Sequence, residues 1–165
     1  MGMTNPIETI DLTPTECRIA NHVGKLRNSL SLKSKTNLRR DPAQSDEDMN
    51  IQAVAAEIAV AKYLNVYPEI SPTDGDLPRY DCRFRDYRIE VKRNHLSNGD
   101  LLVPHLDKEL IYILVCGEIP MFLLIGYLPG SSISLLGKWV ELTYGACWKV
   151  KPNLLISLAN LGRER

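Results

Sequence analysis

The chain lacks most of the features by which a sequence announces a specialised class. Its cysteines, Cys17, Cys82, Cys116 and Cys147, are widely spaced and include no Cys-x-x-Cys pair. That excludes a zinc knuckle and a dithiol redox motif, and the thiols read as reduced core residues of a cytoplasmic protein. The histidines His22, His95 and His105 show no metal-ligand spacing. No apolar run approaches the roughly 20 residues that span a bilayer, so no membrane association is expected. The start of the chain has no basic segment followed by an apolar one, so no secretory signal is read there, and no internal repeat is visible. Net charge is also missing: Lys and Arg number 20, Asp and Glu 20. Any affinity for a polyanion must then come from local clustering.

What is present is ordinary globular composition, 44% hydrophobic and 24% charged over 165 residues, which fits a single domain spanning residues 1–165. Residues 1–12 read as a loose lead-in. Thr13-Pro14-Thr15-Glu16 is a capping box with Pro at the first helical position, so a helix is expected from there to about Leu30. Lys25, Arg27, Lys33, Lys35, Arg39 and Arg40 follow one another with no acidic residue among them. Residues 31–45 are polar and aperiodic, and read as a mobile basic loop. It suits a phosphate backbone, or it is a solvated loop offset by neighbouring acids.

A second helix is expected from Ser45-Asp46-Glu47-Asp48 to about Asn65, with Ile51, Val54, Ile58, Ala61 and Leu64 on one apolar arc. Glu57 falls inside that arc, where a carboxylate is costly unless it is paired or binds a metal. Snorkelling at the arc's edge, or pairing with an Arg of the following hairpin, would also account for it. Residues 67–79 form a Pro- and Gly-containing loop, with Asp74 and Asp76 as rival acidic candidates.

Tyr80 to Arg93 reads as two short strands joined at Arg85-Asp86. A two-residue loop there pairs Phe84 with Tyr87 and Cys82 with Ile89, and puts Asp81 opposite Glu90. Like charges so placed destabilise a sheet unless something compensates. One answer is a divalent cation between the acids, with Lys92 one pleat beyond Glu90. The other is a solvated face with Asp81–Arg88 and Arg83–Glu90 pairs on the diagonals.

Asn98-Gly99 then signals a hairpin with Leu101–Val103 as return strand. Residues 110–116 and 121–128 are continuous apolar runs, as in strands covered on both faces. Residues 129–150 read as loops and short strands, with Trp139, Tyr144 and Trp148 as core. Asn153 to Leu161 reads as a last short helix.

A helix with an inward Glu, a loop, a strand with Asp, and a strand with Glu-x-Lys resembles the PD-(D/E)XK nuclease superfamily. The carrying residues are Asp81, Glu90-Val91-Lys92 and Glu57, and the match covers roughly residues 47–116. Tyr80 stands where the superfamily name has Pro. The resemblance implies an α/β restriction-endonuclease-like core, a mixed central β-sheet flanked by helices. It also implies a Mg²⁺ (or Mn²⁺) ion held by Asp81, Glu90, the Val91 carbonyl and Glu57. Catalysis would fall to Asp81, Glu90, Lys92 and Glu57, and nucleic-acid binding to Lys33, Lys35, Arg39, Arg40, Arg83, Arg88 and Arg93. The implied function is a DNA endonuclease of the kind found in phages and mobile elements, working in the cytoplasm of a bacterial host, with homodimerisation left open. Rival readings are a nuclease-fold protein without turnover that binds DNA or regulates a partner, and an α/β interaction protein without a metal site.

Overall fold

Capped helices and a tight hairpin frame the protein, seen here in a computed structural model that describes residues 7–34, 45–70, 80–143 and 145–163. Helix α1 (Pro14–Ser34) begins at the capping box, in which the Thr13 hydroxyl accepts from the Glu16 N–H at 3.2 Å. The Glu16 carboxylate in turn accepts from the Thr13 N–H at 2.6 Å. The helix runs one turn past the expected end at Leu30, so the head of the expected basic loop is helical. Lys33 lies in that last turn, while Lys35, Arg39 and Arg40 lie outside the described residues. Helix α2 (Asp46–Leu64) starts at Ser45, whose hydroxyl accepts from the Asp48 N–H, and ends at Asn65 in the left-handed region, φ 55°.

A five-stranded mixed sheet has the order β1–β6–β5–β3–β2, built from β1 (Glu8–Asp11), β2 (Cys82–Phe84), β3 (Tyr87–Asn94), β5 (Ile111–Glu118) and β6 (Met121–Pro129). All neighbours are antiparallel except β3 and β5. β4 (Leu101–Val103), β8 (Gly145–Val150) and β7 (Lys138–Leu142) form a second, antiparallel sheet in that order. A short helix α3 (Gly130–Leu136) links β6 to β7. Alternation along β5 explains the layering. Ile111, Ile113 and Val115 join α1 and α2 in one apolar core, while Tyr112, Leu114 and Cys116 join β4, β8 and α3 in another. The five-stranded sheet is thus covered on both faces, as its continuous apolar runs require.

Several expectations are corrected. The lead-in is partly strand: β1 covers the edge of β6 and presses Ile10 on the core. Leu101–Val103 does not return along β3 but crosses to the second sheet, because Asn94 turns the chain by holding the Asp100 carbonyl and the Leu96 N–H. The expected last helix is two 3-10 turns, Pro152–Leu154 and Leu158–Asn160. Between them Ile156 bridges to Tyr127, which commits its N–H and C=O to a strand-like contact. Leu155, Leu158 and Leu161 are nevertheless buried, while Leu154 is exposed. Trp139 is also exposed and meets Trp148 edge to face at 5.5 Å. Among the described residues, no helix is long and apolar enough to cross a membrane.

Candidate active site

The hairpin keeps the expected register for its paired residues, Phe84 with Tyr87, Arg83 with Arg88 and Cys82 with Ile89. Its two-residue loop places Arg85 at φ 54°, and the Arg85 guanidinium lies over the Phe84 ring and donates to the Gly162 carbonyl. Beyond Cys82 the regular pattern stops. Asp81 is not paired with Glu90: its N–H donates to the Ile89 carbonyl at 2.7 Å, so Asp81 and Cys82 together oppose the single residue Ile89. This is a β-bulge, and it re-aims the extra side chain. The Asp81 carboxylate turns along the strand and accepts the Val91 N–H at 2.6 Å, a group that a longer β2 would have bonded through its backbone.

Because β2 is short, β3 beyond Ile89 has no strand partner on that side among the described residues, and α2 packs against β3. Glu57 lies there with only 7% of its side chain exposed. It accepts from Arg27 of α1 at 2.7 Å through one carboxylate oxygen, while the other is buried with no partner among the described residues. Lys92 donates to Glu90 at 2.6 Å. Three carboxylates therefore share two cations.

The electrostatics follow from that imbalance. Burial pushes the Asp81 carboxyl well above its ordinary range; the charges of Glu57 and Glu90 push it further, and the Val91 N–H and Lys92 only partly offset them. Glu57 is raised as well, by burial first and by Glu90, against the pull of Arg27. For Arg27 burial acts in the lowering direction, yet Glu57, Asp81 and Glu90 keep its guanidinium above its usual value. The Cys82 thiol beside them is pushed up to about 12 by burial and then by Asp81 and Glu57, so it stays neutral.

Among the described residues no three acidic, His or Cys side chains are spaced as a ready-made metal shell. Each carboxylate is instead held internally, Asp81 by a backbone N–H, Glu90 by Lys92 and Glu57 by Arg27. The donor set still fits a hard cation. It consists of carboxylate oxygens, one of them buried with no partner among the described residues, in a cluster short of positive charge.

Of the remaining residues picked out in the sequence, Arg88 pairs with Glu109 instead of Asp81, and Arg93 donates to the Gly117 carbonyl at 2.7 Å. Arg83 is exposed. The loop with Asp74 and Asp76 lies outside the described residues. Arg27 was grouped with the basic stretch and its pairing missed. On a wheel at about 100° per residue it falls between Ala20 and Val23 on the apolar side of α1, the same signal that marks Glu57 on α2. Asn28 beside it is buried, and its side-chain oxygen has no partner among the described residues. No family model, curated protein or solved structure matches the chain.

Proposed function

We propose that this protein is a metal-dependent DNA endonuclease with a restriction-endonuclease-like core. One observation carries the reading: Glu57, Asp81 and Glu90 lie within one another's electrostatic influence where β2 ends, beside Lys92, with Glu57 buried and the other two half-buried. Fold maintenance does not call for such a set, since burying like charges together costs stability. Clusters of this kind, in which neighbours shift one another's ionisation, are commoner where chemistry is done.

In this reading Asp81, Glu90 and the Val91 carbonyl would hold the ion through oxygen, and Glu57 would hold the same ion or a second one. Mg²⁺ or Mn²⁺ supplies a bound water of lowered pKa and neutralises charge on the phosphate. Asp81 is preset for its part by the bulge and the Val91 N–H. Lys92, now bonded to Glu90, orients the attacking water and faces the charge that develops on phosphorus. Exposed Arg83, with Lys33, Lys35, Arg39 and Arg40, would hold the DNA backbone.

A second reading, a nuclease-fold protein that binds DNA or a partner without turnover, is favoured by the internal partner that every carboxylate already has. Incubation with linear, supercoiled and branched DNA in Mg²⁺ or Mn²⁺ separates the two. Cleavage by the wild type that is lost in Asp81→Asn and Lys92→Ala is the expected result. Cleavage surviving both substitutions sinks the proposal, and binding without cleavage supports the second reading.

A further inference from the structure

A cavity of ≈ 420 Å³ opens beside Glu90. Glu90 and Tyr112, neighbours in the parallel β3–β5 pair, line it together with His105, Asp107 and Lys108 from the loop before β5.

That loop is braced along its length. The Tyr112 hydroxyl accepts from the Asp107 N–H at 2.8 Å and donates to the His105 carbonyl at 3.2 Å. The Asp107 carboxylate turns back to accept the Glu109 N–H at 2.9 Å, and the Leu110 carbonyl accepts from the Gly130 N–H at 2.8 Å. Gly130 has no room for a side chain: a Cβ there would come within 2.2 Å of the Asp107 carbonyl oxygen. Backbone polar groups and the Asp107 carboxylate are thus committed to holding the wall. Among the described residues nothing holds the side chains of His105 and Lys108, and both are exposed. The folded loop has no use for these two donor side chains, whereas an anion in the cavity does.

We propose that this cavity seats one unpaired nucleotide next to the scissile phosphodiester, with Lys108 and His105 holding its phosphate. The proposal rests on the nuclease reading above and names its substrate class. The volume lies within the range of about 300–1,000 Å³ usual for small-ligand pockets. A single nucleotide fits such a space and a base pair in its duplex does not, so the strand must enter unstacked, as a flipped base, a frayed end or a single-stranded arm. Lys108 and His105 line the same cavity as Glu90, so a strand whose phosphate they hold passes beside the Glu90 carboxylate.

The test uses the full chain and fluorescein-labelled oligonucleotides of one sequence, as blunt duplex, splayed-arm fork and single strand. Binding is read by anisotropy in EDTA, and cleavage separately in Mg²⁺. Lys108→Ala and His105→Ala are compared with Lys25→Ala, an exposed lysine on α1 outside the cavity. Expected are tighter binding of fork and single strand than of duplex, and binding of the fork weakened about tenfold by Lys108→Ala, the loss of one charge-assisted contact. His105→Ala should act in the same direction, with Lys25→Ala matching the wild type. Equal losses in Lys108→Ala and Lys25→Ala, no loss in any variant, or a preference for duplex each overturn the proposal. Unchanged thermal unfolding of the variants confirms that they fold. Fork binding that depends on Lys108 without any cleavage leaves the pocket standing and the nuclease reading fallen. Cleavage that is indifferent to Lys108 does the reverse.

Discussion

The Asp81 carboxylate and the Val91 N–H are joined at 2.6 Å across a bulge that places Asp81 and Cys82 together opposite Ile89. This bond replaces a rung of the β-ladder with a side chain. It fixes a carboxylate at the point where the edge strand ends, within the field of Glu57 and Glu90. Substitution by Asn keeps the acceptor oxygen and removes the charge. Asp81→Asn is therefore expected to fold, to lose cleavage in Mg²⁺, and to unfold at a higher temperature than wild type in EDTA near neutral pH. The scale is about 2–4 °C for each 1 kcal/mol of relieved repulsion in a domain of this size. A melting temperature below that of wild type would show that the carboxylates do not strain the metal-free fold.

The same cluster sets a pH dependence. Asp81 and Glu57 have carboxyls raised above the ordinary range, by burial first and by neighbouring carboxylates next. A carboxyl whose folded pKa exceeds its unfolded value of about 4 binds its proton more tightly when folded. The stability it contributes is present at low pH and is lost as pH rises through the folded pKa. Metal-free wild type should thus lose stability relative to Asp81→Asn as the pH rises from the unfolded value of about 4 through the raised folded pKa of Asp81. Thermal melts of both proteins across that window check it. A constant difference would mean that Asp81 is ionised throughout.

Arg27 and Glu57 form an ion pair joining α1 to α2, in which Glu57 is buried and Arg27 half-buried. Removing one partner strands the other, at a cost of about 3 kcal/mol or more, whereas replacing both with apolar groups of similar size is nearly neutral. Arg27→Met alone should be strongly destabilising, and Arg27→Met with Glu57→Leu should recover most of the loss. Urea unfolding of the two single variants and the double variant gives the coupling directly. Additive losses would show that the pair is not coupled.

Much of this was legible beforehand, and the failures have local causes. Thr13 and Glu16, Ser45 and Asp48 are short-range pairs whose geometry depends only on neighbouring residues, and both helix starts stand where those residues put them. The hairpin register through Cys82 and Ile89 follows from alternation and loop length. The bulge at Asp81 does not, because it depends on how the chain from α2 returns: the Asp81 carbonyl accepts from the Glu69 N–H at 2.6 Å, and Pro68 bridges to Cys82. β4 lies in the second sheet instead of beside β3 for a similar reason. Asn98-Gly99 marks a turn but not the partner strand, and β8 is almost 50 residues further on. Arg27 carried a readable signal that the surrounding basic residues obscured.

Tyr112 is a bridge between sheet and loop. Tyr112→Phe leaves the Asp107 N–H without its acceptor in a part-buried place, which costs about 1–3 kcal/mol. The expected result is a lowered melting temperature with the fold retained, and faster amide exchange confined to residues 105–110. If exchange there is unchanged, the hydroxyl is not what holds the loop.

Gly24 decides whether the two helices can meet. A Cβ at this position would come within 2.5 Å of the Ile51 Cα and 2.6 Å of its nitrogen, so α1 and α2 touch here backbone to backbone. In an exposed helix interior, Gly→Ala gains up to about 1 kcal/mol from propensity. At this contact the backbone of Ile51 cannot swing aside as a side chain would, and α1 must move outward instead. Arg27 lies one turn further along α1 and Glu57 further along α2, so the displacement falls on their ion pair. Gly24→Ala is therefore expected to destabilise the protein despite its better propensity, and to shrink the Arg27–Glu57 coupling measured in its background. A Gly24→Ala protein as stable as wild type, with the coupling intact, would show that the helix crossing tolerates the extra methyl and that the pair is positioned by other contacts.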